Sequence, residues 1–278
     1  KSEDVAERLI RETESNVALR IEESSAVAGF KVYGRGILPL SILIENLRRE
    51  GYEFQVSKPE VIFKDVDGKK TEPIELAVVD VADEFLGVVI EKMGVRKGEM
   101  TNMKQGDDGY TRIEFKVPSR GLIGFRGEFL TETRGTGILN QSFYEYDFYK
   151  GPIPGRGKGV LLAMEAGTSV PFALDNLQER GELFIPAGVS VYEGMIVGEN
   201  SREGDMVVNV CKKKALTNMR ASGSDDAVRL IPHREFSLEQ ALEYIADDEL
   251  LEVTPVSVRM RKKLLKELDR KRTNKRSE

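Results

Sequence analysis

In "NVALRIE", Val17, Leu19 and Ile21 alternate with polar neighbours, and that period of two predicts a strand over residues 16–22. "GFKVYG" predicts a second strand. The period then lengthens: Leu40, Leu43, Ile44 and Leu47 in "LPLSILIENLRREG" recur at helical spacing, and Gly51 marks the stop. Upstream, "SEDVAERLIRE" predicts a helix capped by Ser2. Downstream, "EFQVSKPEVIFKDVDGKK" returns to strand and ends in an Asp-Gly turn. The order helix, strand, strand, helix, strand is that of a βαββαβ unit without its first strand.

The same order recurs in full from Pro73. "IELAVVDVA" predicts a strand, and Leu86, Val89, Ile90 and Met93 then mark one face of a helix that Gly94 would stop. "GEMTNMKQ" and "YTRIEFKVP" predict a hairpin around Gly106–Gly109. "SRGLIGFRGEFLTE" predicts one helix capped by Ser119, and "TGILNQSFYEYDF" a closing strand. Residues 151–159, "GPIPGRGKG", then read as a linker. They do not form a phosphate loop, because Gly159 follows Lys158 where a hydroxyl is required and the glycine spacing is wrong.

Beyond the linker come short strands separated by glycine turns: "GVLLAME", "ELFIPAG", "EGMIVGE", "MVVNVCK" and "AVRLIP". One helix is opened by Ser169, with Val170, Ala173, Leu174 and Leu177 on its core face. A second carries a capping box from Ser237 to Gln240. "EVTPVSVRMRKK" is a late strand, and a basic helix closes the chain. This pattern predicts a small β-barrel or open sheet decorated by helices. The expected division is 1–72, 73–155 and 156–278, in an α+β fold class.

Composition narrows the chemistry. The 278 residues are 40% hydrophobic and 32% charged, as in a soluble globular protein. No apolar run approaches the roughly 20 residues that span a bilayer. The first residue is Lys1 with no leader-like run behind it, which predicts either a removed initiator or a piece of a longer protein. Cys211 is the one cysteine and His233 the one histidine. An internal disulfide and a Cys/His zinc site are therefore excluded, and a reducing cytoplasmic setting is expected. A catalytic triad would need His233, which reads as a plain loop histidine. The acidic groups at Asp225–Asp226 and Asp247–Asp248–Glu249 lack calcium-loop spacing. No metal, no cofactor and no catalytic residue is expected.

Charge is concentrated rather than spread. The chain has net charge −5, yet residues 212–220 hold Lys212, Lys213, Lys214 and Arg220 and no acid. Consecutive lysines in an extended loop point to different sides, which suits an irregular phosphate surface. Thr217, Asn218 and Ser222 add short hydrogen-bonding groups. A solvated loop is the plainer alternative. Residues 259–276 carry ten cations and two acids, which reads as a solvated tail or a second polyanion contact. In "SRGLIGFRGEFLTETRGTG", Gly121, Gly124 and Gly127 recur every third residue, flanked by Arg120, Arg126 and Arg134. Tight helix packing with solvated arginines and RNA contact through guanidinium forks both remain open.

The strings "NVALRIEE", "LIENLRREG", "PSRGLIGFRGEF", "ALTNMRASG", "LEQALEYI" and "DDELLEVTP" resemble the C-terminal half of the BipA/TypA family of ribosome-binding translational GTPases, related to elongation factor G. The resemblance implies two ferredoxin-like domains, like the third and fifth of elongation factor G, and a family-specific C-terminal domain. It implies that GTP and magnesium belong to a domain these residues do not contain, and that this stretch is not itself an enzyme. It further implies a monomer that contacts large-subunit RNA and the acceptor end of A-site tRNA through residues 212–220, in large-subunit assembly and translation under stress. A paralogue such as LepA would share the two ferredoxin-like units but would not be expected to carry "GLIGFRGEF" with "TNMRASG". A protein-interaction scaffold is the alternative from another class.

Overall fold

The computed structural model describes residues 2–24, 29–213 and 229–277. The chain forms two compact units. One is Pro59–Gly155, and the other joins Lys1–Lys58 to Arg156–Glu278. The expected boundary after residue 72 falls inside a strand, Lys69–Ala82, so residues 59–72 go with the first of these units.

Within Pro59–Gly155, the strand Lys69–Ala82 is central. One edge pairs antiparallel with Tyr110–Pro118, which in turn pairs with Glu99–Gln105. Its other edge pairs with Ile138–Phe148. Taken in chain order as 1 to 4, these strands lie 4-1-3-2, the ferredoxin-like arrangement. Ala77, Val79 and Val81 turn to one face with Ile113, Phe115 and Val117, and the helices Leu86–Val95 and Phe125–Glu132 cover that face with Val89, Met93, Phe125 and Phe129. A short hairpin partner, Lys64–Val66, extends one end of the sheet.

The helix expected from Ser119 to Glu132 is broken. Ser119–Leu122 and Phe125–Glu132 are separated by an extended Ile123 and by Gly124 at φ 74°. No side-chain cap forms at the first of these helices, where Pro118 takes the cap position. The glycines explain the break, since each weakens a helix by about 1 kcal/mol relative to alanine. Gly124 takes the left-handed backbone open to glycine, and a Cβ on Gly121 would sit 2.6 Å from the Arg96 carbonyl oxygen. Carbonyls freed by the interruption are met by Arg96, whose Nη1 donates to Gly121 O at 2.7 Å and Ile123 O at 3.3 Å.

In the other unit the early elements come in the expected order: Ser2–Ser15, Arg20–Glu23, Phe30–Tyr33, Ile37–Arg49 and Phe54–Ser57. Leu43, Ile44 and Leu47 are buried as their spacing demands, and Gly51 ends the helix at φ 95°. The strands do not share one sheet, however. Arg20–Glu23 and Phe30–Tyr33 form a hairpin, whereas Phe54–Ser57 pairs antiparallel with Glu249–Val253, whose other edge takes Val258–Lys262. The single strand expected over 53–70 is thus divided between the two units. Pro59 supplies the reason, because it donates no ladder hydrogen bond and restricts Lys58 before it.

The C-terminal sheet is open, in the order Gly181–Leu183, Ile196–Asn200, Val160–Ala163, Met206–Val208. Among the described residues it does not close into a barrel. Every residue of Val160–Ala163 is buried. Leu161 and Ala163 pack toward Leu174, Leu177 and Val197, and Val160 and Leu162 toward Leu242, Ile245 and Leu251. The Ser237 capping box forms as expected. Ser169 does not cap its helix; its hydroxyl donates to Pro186 O and accepts from Val189 N instead. Residues 229–232, at the end of "AVRLIP", are not in a strand.

The linker is anchored at Arg156. Its Nη2 donates to Glu249 Oε1 at 2.8 Å and its Nη1 to Glu249 Oε2 at 3.2 Å. Lys262 Nζ lies 3.0 Å from Glu249, 2.7 Å from Asp205 and 2.8 Å from Asp248. Glu249 is wholly buried and the Lys262 side chain is 4% exposed. Burial pushes the Glu249 carboxyl up, but Arg156 and Lys262 outweigh it and hold the group below the usual glutamate range.

Two predictions follow from these contacts. Glu249→Gln leaves Arg156 and Lys262 without their shared carboxylate, and we expect a loss of about 3–5 kcal/mol at neutral pH. Because the folded pKa is depressed, this contribution is present above the unfolded glutamate value and vanishes as pH falls through the folded one. Urea melts of both proteins from neutral pH into the acid range should therefore converge at the acid end. Separately, Gly124→Ala should cost about 1–2 kcal/mol for forcing a Cβ into left-handed backbone, while Gly127→Ala, where a Cβ meets nothing within 4 Å, should stabilise by up to about 1 kcal/mol. Thermal melts of the pair check that the glycines differ in role.

Candidate nucleic-acid interface

The residues just before the basic segment are set in the core. Val208 and Val210 are buried in the core that also holds Leu174 and Leu177. Asn209 turns the chain, its amide donating to Glu165 at 2.7 Å and its carbonyl oxygen accepting from Cys211 N at 2.9 Å. Cys211 packs half-buried against Gly167, where an added Cβ would lie 2.8 Å from the sulfur. Burial, with Glu165 nearby, pushes its thiol up. Immediately after it, Lys212 and Lys213 are exposed.

Lys214, Thr217, Asn218, Arg220 and Ser222 lie outside the described residues. The chain is anchored again where it returns. Leu230 packs on the same core, Ile231 N donates to the Gln178 side chain, and Arg234 N donates to Leu183 O at 2.8 Å. Arg234 also lies over Phe236, 4.5 Å from the ring centre. Val210 and Cys211 on one side of residues 212–229, and Leu230 on the other, thus belong to one apolar core, and the exposed Lys212 and Lys213 begin where it ends. His233 sits in this return, half-buried, 3.5 Å from Glu235, as a loop histidine.

The three arginines of the glycine-rich stretch have different fates. Arg120 is taken up internally: its Nε and Nη2 fork onto Glu72, which is wholly buried, and Nη2 also donates to Gly151 O at 2.6 Å. The guanidinium lies over Tyr149 at 4.6 Å, and Lys150 N donates to the same carboxylate at 2.7 Å. Arg120 is thus a packing residue, and the reading of it as an RNA contact is corrected. Arg126 is exposed on Phe125–Glu132. Arg134 is exposed at φ 51°, with its guanidinium 5.6 Å from the Phe85 ring centre. These residues belong to Pro59–Gly155, and the 212–222 group belongs to the other unit.

Sequence reasoning passed over Arg96, because nothing local announces that a residue just past a helix end will bind carbonyls 25 and 27 residues on. It also passed over the aromatic run "FYEYDFY", residues 143–149, which was visible but was read only as a strand. Among the described residues no group of His, Cys, Asp and Glu could hold a metal ion. Among the same residues no helix is long and apolar enough to cross a membrane.

The contrast between two arginines is testable. Arg120→Ala strands the buried Glu72 carboxylate and should cost about 3–5 kcal/mol, whereas Arg126→Ala should stay within about 0.5 kcal/mol. Denaturant melts of both variants measure the difference.

Comparison with known proteins adds a family to this geometry. Residues 158–267 match the TypA/BipA C-terminal domain, and residues 69–156 match the elongation factor G C-terminus. Along 274 residues, 98% of the chain, it is 54% identical to the large ribosomal subunit assembly factor BipA of Haemophilus influenzae and 51% identical to that of Salmonella typhimurium. The protein of the same name from Synechocystis is 48% identical over 267 residues. The chain spans 44–45% of the length of these curated relatives. With a TypA/BipA C-terminal domain directly behind an elongation factor G C-terminal domain, and with half its residues shared with BipA proteins along nearly all its length, the chain belongs to the TypA/BipA family.

Proposed function

We propose that this chain is the ribosome-binding portion of a translational GTPase that serves large-subunit assembly. The observation that carries the reading is the overlap of two things: the TypA/BipA C-terminal domain match, residues 158–267, contains the entire basic segment at 212–220. Relatives of this chain are named as large ribosomal subunit assembly factors, which supports RNA of that subunit as the partner. Lys212, Lys213 and Lys214 meet phosphate, Arg220 forks or stacks on a base, and Thr217, Asn218 and Ser222 bond to sugar and phosphate oxygens. The acceptor end of A-site tRNA is a second partner for the same loop. The chain acts as a cytoplasmic monomer, in ribosome assembly and in translation under stress. GTP hydrolysis is not assigned to these residues, since "GRGKG" is no phosphate loop and Arg156 within it is committed to Glu249.

An acidic body repels RNA in general, so binding must concentrate where the local charge is reversed. Each lysine–phosphate contact contributes about 0.7–0.9 to the slope of log affinity against log salt. Replacing Lys212, Lys213 and Lys214 by alanine should flatten that slope by roughly two units. Arg220→Lys should weaken binding although it keeps the charge. Co-sedimentation with large ribosomal subunits across a salt series measures both. An unchanged slope in the triple variant would remove the loop as the RNA contact, and binding insensitive to salt from the start would favour a protein-interaction scaffold.

A further inference from the structure

One end of the sheet in Pro59–Gly155 collects exposed rings. Among the described residues six aromatic side chains are exposed, and five of them, Phe63, Phe143, Tyr144, Phe148 and Tyr149, lie on or beside the strands Lys64–Val66 and Ile138–Phe148. Single exposed apolar residues are ordinary, but a concentration of this kind marks a surface built for contact.

Register sorts these residues by face. Lys64 stands opposite Thr71, Val66 opposite Lys69, Thr71 opposite Phe148, and Pro73 opposite Tyr146. Partners across a ladder share a face, and so do alternate residues along a strand. One face therefore presents Lys64, Val66, Lys69, Tyr146 and Phe148. The ring contacts agree: Lys64 Nζ is 3.8 Å from the Tyr146 ring centre and Lys69 Nζ 5.2 Å from that of Phe148. Phe143 adjoins them, its ring centre 5.8 Å from that of Tyr146, and the residue is 63% exposed.

Charge on this strip is one-sided. Glu72 and Asp147 face each other on the opposite side of the sheet, where Glu72 is bound by Arg120 and Asp147 by Lys150. Glu145 stands opposite Ile74, also away from the strip, and lies 3.6 Å from Lys116. From Val66 to Tyr146 the strip carries two lysines and no carboxylate; the first acid along it is Glu75, opposite Phe143. Tyr146 and Phe148, two residues apart on one strand, are separated by about 7 Å, which leaves room for successive unstacked bases. The lysines now lying over rings are long and rotatable. A base that stacks on a ring displaces the ammonium toward its own phosphate, so one motion satisfies both groups.

We propose that Phe143, Tyr146 and Phe148, with Lys64 and Lys69, form a stacking surface for unpaired nucleotides of RNA. A protein partner would find flat rings as useful, but it would not require two lysines and no acid between Val66 and Tyr146, with Glu75 only at the Phe143 end. The proposal rests on the RNA-binding reading above, but on a different surface in a different unit of the chain.

The test uses the whole chain carrying alanine at Lys212, Lys213 and Lys214, so that the basic loop cannot supply the signal. The probe is a short fluorescein-labelled oligouridylate, with an RNA duplex of equal length as control. The single strand should bind more tightly than the duplex. Phe143→Ala with Phe148→Ala should weaken it about tenfold, and the corresponding tyrosine replacements should restore it. Lys64→Ala with Lys69→Ala should lower the salt slope by about 1.4 units. Equal binding of duplex, or alanine variants within about twofold of their parent, would overturn the proposal. Alanine variants that keep oligouridylate affinity but lose ribosome co-sedimentation would overturn it in favour of a protein-docking face. Failure here leaves the loop's own salt series untouched, and failure of the loop leaves this titration interpretable.

Discussion

Arg156 and Lys262 both meet the buried Glu249 carboxylate, Ala246 N donates to it at 2.7 Å, and together they hold it below the usual glutamate range against the effect of burial. Much of the Lys1–Lys58 with Arg156–Glu278 unit is organised around that carboxylate. Arg156 is the residue at which the chain re-enters the unit, Lys262 ends one strand, and Glu249 begins the strand between Lys262 and Phe54–Ser57. A buried ion pair is seldom more stabilising than a well-packed apolar group of similar size, but losing one partner is severe. Its value here is directional. It ties the point where the chain returns to two neighbouring strands, and of the two cores flanking Val160–Ala163 the one with Leu242 and Ile245 also holds Leu251, Val253 and Met260 of those strands.

The same economy governs the arginines. A guanidinium can be spent inside the protein or offered outside it, and its neighbours decide which. Arg120 and Arg156 meet wholly buried carboxylates, and Arg96 meets carbonyls released by a broken helix. Arg126 and Arg134 stand exposed. Lys212 and Lys213 are exposed for a different reason: the apolar core that pins Val210 and Cys211 ends there, and no acid follows them within residues 212–220. Val210 and Cys211 before this segment and Leu230 after it belong to the same apolar core.

What the sequence by itself determined was local. Period-two alternation marked the strands around Val79 and Ile113, period 3.6 marked the helix of Leu43, Ile44 and Leu47, and the Ser237 capping box was readable from spacing alone, because each depends on neighbours within one or two turns of chain. The reversed charge at 212–220 was readable for the same reason, since composition needs no partner. The long shared strings also pointed to the family before any contact was known.

Tertiary structure decided what lies far apart in sequence. Alternation says that Phe54–Ser57 is a strand but cannot say that Glu249–Val253 is its neighbour, because edge pairing is chosen by which apolar faces can be buried together. Three glycines at regular spacing were compatible with a helix lying on a backbone. The fold instead used Gly124 to stop one helix and start another, since Arg96 was available to meet the freed carbonyls. Arg120 looked as open to RNA as Arg126 until Glu72, 48 residues earlier, was brought beneath it. In each case the deciding term was burial with a distant partner, which a residue's own neighbourhood does not encode.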